Sequence, residues 1–100
     1  MYLVQLLLPV SGAAASHDTV HTELRAELTA RFGGVTAYSR APAHGAWKPG
    51  EGEAVHDDVV LIEVVTEHLQ AEWWRALRHR LERALEQESV LIRAVEVQML

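Results

Sequence analysis

The chain of 100 residues contains no cysteine, so disulfide bonds, thiolate nucleophiles and Cys-ligated zinc are excluded. Basic residues are also scarce: nine Lys and Arg stand against fourteen Asp and Glu, which gives a net charge of −5 with His neutral. Nucleic-acid binding needs Lys and Arg to neutralise phosphates. The sequence also has neither a glycine-rich phosphate loop nor a nucleophile-elbow serine. We therefore expect no nucleic-acid partner.

The N-terminal apolar run, residues 1–10, is too short to cross a bilayer and has no basic segment before it. It contains Gln5 and breaks at Pro9, although the three alanines at 13–15 resemble a cleavage region. We interpret the run as a first β-strand. This interpretation predicts a cytoplasmic protein with no membrane partner.

Hydrophobic residues make up 49% of the chain and charged residues 23%, which is typical of a globular protein. The length fits a single domain over residues 1–100. A domain this small buries only a thin core, so self-association that covers more apolar surface would stabilise it.

The apolar pattern predicts strands at residues 2–8, 35–40, 55–65 and 90–97. Helices are predicted at 17–32, closed by Gly33, and at 70–88. Residues 41–53 hold two prolines and three glycines, which predicts a long loop containing Trp47. The predicted fold is α+β and ferredoxin-like, βαββαβ, a four-stranded antiparallel sheet with two helices on one face.

The first and third strands are apolar on both faces, whereas helices would cover only one face of the sheet. An apolar open face favours a homodimer that packs two sheets together as a dimeric α/β barrel. Such a barrel encloses a cavity for a small molecule. The predicted pocket residues are Gln5, Tyr38, Arg40, Trp47, Glu63 and Arg93.

Glu63 is a carboxylate in the middle of an otherwise apolar strand, so it needs solvent, a cationic partner or a cavity. Arg93 and Arg40 are its candidate partners in a structural ion pair. The alternative is an acid/base role, for which Tyr38 and His56 are further weak candidates. Whether the protein is an enzyme is left open by these residues.

His17 and His21 lie four residues apart on the first helix, a spacing that suits metal ligands. The sequence fixes no third ligand, so we expect no bound metal or cofactor and keep a metal protein as an alternative. On the second helix four arginines, at 75, 78, 80 and 83, alternate with glutamates, which predicts a solvated face with ion pairs.

Three short segments, residues 31–36, 45–47 and 87–91, resemble a family of small bacterial proteins of unknown function. The resemblance implies a ferredoxin-like fold and a local structure shared by Gly45, Trp47, Gln87 and Glu88, but no activity. The overall layout is similar to that of dimeric α/β-barrel proteins, which include cofactor-independent monooxygenases. The hypotheses are therefore a dimeric binding domain for a small molecule or partner protein, a small monooxygenase-like or isomerase-like enzyme, and a metal-binding protein.

Overall fold

The structure is a computed structural model that describes residues 1–9, 17–47 and 55–100; side chains are described for 1–9, 18–36 and 59–100. Its elements follow the predicted βαββαβ order. They are β1 (Tyr2–Pro9), α1 (His17–Phe32), β2 (Thr36–Trp47), β3 (Val55–Thr66), α2 (Ala71–Ala84) and β4 (Leu91–Glu96).

The strands form one sheet in the order β2-β3-β1-β4, and each neighbouring pair is antiparallel. The two strands that are apolar on both faces, β1 and β3, occupy the centre, as predicted. This α+β arrangement is consistent with the ferredoxin-like prediction.

The strand β2 is longer than the sequence predicts, because the segment from Ala41 to Trp47 continues the strand instead of forming a loop. Trp47 pairs with Val55 at the end of the β2–β3 ladder. Two features make this possible for a segment that contains Pro42. β2 is an edge strand, where proline is tolerated, and the pairing register shifts between Tyr38 and Ala43. The loop prediction is therefore wrong for 41–47, and its remainder lies outside the described residues.

One face of the sheet carries the hydrophobic core. Alternate residues of β1 and β3 point to this face and are at most 3% exposed: Val4, Leu6, Leu8, Val60, Ile62 and Val64. Both helices pack on them through Leu24 and Leu28 of α1 and through Trp74, Leu77 and Leu81 of α2. Val20 and Phe32 of α1 are partly buried against the same core, while Ala84 at the end of α2 is exposed.

The two helices end by different means. Gly33 terminates α1 at φ 82° and donates its amide to the Thr29 carbonyl at 2.9 Å, as its position predicts. The helix α2 ends at Ala84, four residues before the predicted boundary, because Glu86 takes a φ of 52°. A left-handed residue other than glycine leaves no signal in the sequence.

An aromatic cluster joins the end of α1 to the start of α2. Phe32 stacks on Trp74 with ring centroids 5.1 Å apart and meets Trp73 edge-on at 5.4 Å. The guanidinium of Arg31 lies 4.3 Å from the centroid of the Trp73 ring and also donates to Gln70. These contacts fix where α2 begins relative to the sheet.

Candidate functional site

A row of polar side chains crosses the sheet face that the helices leave open. Gln5 of β1 is paired in register with Glu63 of β3 on one side and with Arg93 of β4 on the other. On β2, Thr36 pairs with Glu63 and extends the row. Strand alternation places all of them opposite the core, so the row faces away from the helices.

Gln5 connects the two charged residues of this row. The Nε of Arg93 donates to Gln5 Oε1 at 2.8 Å, and Gln5 Nε2 donates to Glu63 Oε2 at 2.9 Å. Glu63 and Arg93 lie two strands apart, which is about 10 Å between backbones, so a direct contact would need both side chains to reach across β1. The predicted partnership of Glu63 with Arg93 therefore takes the form of a bridge through Gln5, whose role as a connector the sequence did not indicate.

Apolar residues flank the polar row on both sides along the strands. Leu3 is paired in register with Val65 and Val95, and Leu7 with Leu61 and Leu91. Val65 is 38% exposed, Val95 48% and Leu91 49%. Among the described side chains, this side of the sheet is thus an apolar surface crossed by one hydrogen-bonded row, with an anion at one end and a cation at the other. We call this surface the open face.

Three of the six predicted pocket residues, Gln5, Glu63 and Arg93, are brought together by the structure. The side chains of Tyr38, Arg40 and Trp47 lie outside the described residues, although their backbones belong to β2. The acid/base candidate His56 is likewise described only as a backbone position of β3, paired with Ala46. Their predicted roles stay predictions.

The histidine pair on α1 is described in part. The backbone of His17 begins α1, but its side chain lies outside the described residues, while His21 is half-buried one turn later. Among the described residues, no three His, Asp or Glu side chains come close enough to hold a metal ion. The metal-binding alternative gains no support from the described part of the chain.

The solvated face with ion pairs that the sequence predicts on α2 is found in part, since Arg75, Arg80 and Arg83 are exposed. Arg80 pairs with Glu27 of α1, which ties the outer surfaces of the two helices together. Arg75 and Arg78 instead line a cleft between α2 and β4, together with Trp74. Only the position of β4 beside α2 creates this cleft, so the pattern of α2 alone gave no sign of it.

No model of a known protein family matches the chain, and no curated protein is significantly similar to it. The resemblance to small bacterial proteins therefore stays a prediction. In the described ranges, neither helix combines the length and apolar composition that crossing a bilayer requires.

Proposed function

We propose that the protein is a homodimeric binding domain in which the open faces of two copies pack together and enclose a small-molecule site at the polar row. The observation that carries this proposal is the open face itself, an apolar surface crossed by one polar row. The helix layer of the same chain covers only the opposite face.

The size of the open face suits a dimer interface. Four strands of 6 to 12 residues, spaced about 4.8 Å apart and rising about 3.3 Å per residue, present roughly 600 Å² of flat sheet. This is of the order of the 800 Å² or so that each partner buries in a standard interface. Leaving Val65, Leu91 and Val95 in water forgoes the stabilisation that their burial would supply.

The charges of the polar row are arranged for pairing with a second copy. Glu63 and Arg93 lie on opposite sides of Gln5. A two-fold axis that runs in the interface plane along β1 places Glu63 opposite Arg93 of the second copy, and Gln5 opposite its equivalent. An axis across the strands would instead oppose like charges. The row thus favours the axis along β1, which also keeps the strands of the two sheets aligned, one of the common geometries for stacked sheets.

The same row determines what the enclosed space can bind. The Glu63 carboxylate accepts hydrogen bonds and the Arg93 guanidinium donates them, while the flanking rows are apolar. A molecule that carries a donor, an acceptor and an apolar body satisfies all three. Because Gln5 holds the Glu63 carboxylate in place, a structural and binding role for Glu63 is favoured over acid/base chemistry.

A charge-swap cycle followed by sedimentation velocity tests this dimer. We expect wild type to be dimeric, and Glu63→Arg and Arg93→Glu each to weaken the dimer by about tenfold or more, because each opposes like charges. The double variant E63R/R93E should recover most of the affinity. Arg83→Glu, on the exposed surface of α2, is the matched control and should leave the dimer unchanged.

Native mass spectrometry of the untagged protein provides the complementary readout. A dimer with added mass would support the enclosed site, and the mass would identify the class of the bound molecule. A monomer at every concentration, or single swaps that leave the dimer intact, would contradict the proposal.

A further inference from the structure

A cleft of about 180 Å³ lies between the first half of α2 and the edge strand β4, on the helix-covered side of the sheet. Arg75, Arg78 and Trp74 line it from α2, and Ile92, Arg93 and Ala94 line it from β4. It lies on the other side of the sheet from the open face, because Ile92 and Ala94 pair with Leu6 and Val4, whose side chains belong to the core. Arg93, which lies between them on β4, borders the cleft and also belongs to the polar row.

In the described part of the chain, two buried hydrogen-bond donors of the lining residues have no partner. Trp74 is only 4% exposed, and its indole Nε1 makes no hydrogen bond; the Nε of Arg78 is also buried without a partner. A buried polar group left unsatisfied is destabilising by about 1–3 kcal/mol, so such groups in proteins usually have a partner. Both groups can only donate, and a partner for them must therefore supply acceptor oxygens or nitrogens.

The electrostatics of the cleft favour an anionic acceptor. In the described part of the chain, neither Arg75 nor Arg78 is held in an ion pair, and no Asp or Glu belongs to the lining. Ala71, the first residue of α2, is also part of the wall, and Gln70 supplies no side-chain cap to this helix end. Two guanidinium groups with no carboxylate in the described lining create a positive potential in the cleft, to which the helix N-terminus at Ala71 adds.

The apolar walls of the cleft determine which uncharged part of a ligand can fit beside its anionic group. Val4, Leu69, Ala71, Ile92 and Ala94 supply an apolar surface, and Phe32 stacks on Trp74 and holds its ring in position. Ligand sites for drug-sized molecules occupy about 300–1,000 Å³, so this cleft suits a smaller molecule. The planar fork of arginine matches the two oxygens of a carboxylate.

We infer that the cleft between α2 and β4 binds a small carboxylate with a short apolar or aromatic body. The carboxylate accepts hydrogen bonds from the terminal guanidinium N–H groups of Arg78 and Arg75, while the body packs on the apolar wall. Arg93 borders both surfaces but is not used in this inference, which therefore stands whether or not the dimer forms.

Benzoate is a suitable probe, and two-dimensional ¹H–¹⁵N NMR of the untagged protein reports on the site directly. We expect the assigned indole N–H signal of Trp74 to shift in a saturable way as sodium benzoate is added. Benzamide, the uncharged analogue of nearly the same shape, should produce a much smaller shift because it lacks the anion. Inorganic phosphate should bind more weakly than benzoate, since it offers nothing to the apolar wall.

Arg78→Gln should weaken benzoate binding by about tenfold or more, because the charged donor is lost. Arg83→Gln is the matched control: it removes a charge from an exposed position of α2 outside the cleft and should leave the affinity unchanged. Thermal unfolding of both variants checks the fold, and Arg75→Gln replaces R78Q if that variant proves unstable.

Three results would overturn the inference: no saturable shift up to the solubility limit of benzoate, equal shifts with benzamide, or equal affinities for the Arg78 and Arg83 variants. Phosphate binding as tight as benzoate binding would contradict the assigned class, because it would show that charge alone accounts for recognition.

Discussion

The two faces of the sheet have nearly the same apolar composition, but the described part of the chain covers only one of them. On β1, Leu6 is fully buried beneath the helices while its neighbour Leu7, on the open face, is only half-buried. On β3, Val64 is 1% exposed and Val65 is 38% exposed. The comparison shows that the strands carry apolar side chains on both faces of the sheet, whereas the two helices pack on one face. What distinguishes the open face chemically is that its polar row crosses the middle of the sheet, whereas the described polar side chains on the core side, Thr66, Tyr2 and Glu96, lie at the end of the sheet.

The largest effect expected from this comparison comes from truncating neighbouring leucines on β1. Leu6→Ala should lower the free energy of unfolding by about 3 kcal/mol, because it leaves a cavity in a fully packed layer. Leu7→Ala should lower it by about 1 kcal/mol in the monomer, since water already reaches that side chain. Urea unfolding of the two variants measures the difference.

Repeating the experiment at several protein concentrations separates the stability that comes from burial within one chain from the stability that comes from the dimer. The loss in L6A should be independent of concentration, whereas the loss in L7A should grow where wild type is dimeric, because only the dimer buries Leu7. Equal, concentration-independent losses in both variants would mean that the two faces are equivalent, which would contradict the comparison.

A smaller effect is expected from removing the centre of the polar row. Gln5→Leu breaks both hydrogen bonds of the row but leaves Glu63 and Arg93 able to reach water, so the free energy of unfolding should change by about 1 kcal/mol or less. The variant joins the two apolar rows into one patch and should associate less specifically, which light scattering would detect. The reciprocal change Leu6→Gln, one residue away, should be far more destabilising because its amide would be buried in the core. If Q5L were as damaging as L6Q, the row would be part of the folded core.

Sequence reasoning predicted those parts of the fold that depend on local periodicity. The uninterrupted apolar pattern of β1 and β3 placed both strands at the centre of the sheet, and Gly33 marked the end of α1. The continuation of β2 through Pro42 was missed because an edge position, which tolerates proline, is a property of the finished sheet. The end of α2 was missed because Glu86 adopts a conformation usually taken by glycine.

For the candidate sites, too, the sequence predicts individual residues, whereas the contacts between them follow only from the folded sheet. Glu63 stands out in the sequence because it interrupts an apolar strand, and Arg93 is an evident cationic candidate. That Gln5 joins them follows only from strand register, which fixes the residues that face each other across three strands. The cleft beside α2 could not be predicted from the sequence of α2. Alternating Arg and Glu predict ion pairs, and only the position of β4 shows that Arg75 and Arg78 line a cleft.

The smallest expected effect concerns a third surface, the solvent side of the helix layer. Arg80 of α2 pairs with Glu27 of α1 there, and both side chains are well exposed. Exposed pairs contribute little because water screens them and ordering two long side chains opposes the gain, so Arg80→Ala should cost about 0.5 kcal/mol or less. Added salt should shrink that difference further. Arg83→Ala, an exposed position on the same helix, is the control for losing an arginine side chain. Urea unfolding of both variants at low and high salt measures the difference between their losses of unfolding free energy. A loss approaching that of L6A would show that the two helices are held together by charge; a loss within the error of R83A would confirm that they are held by the buried layer they share.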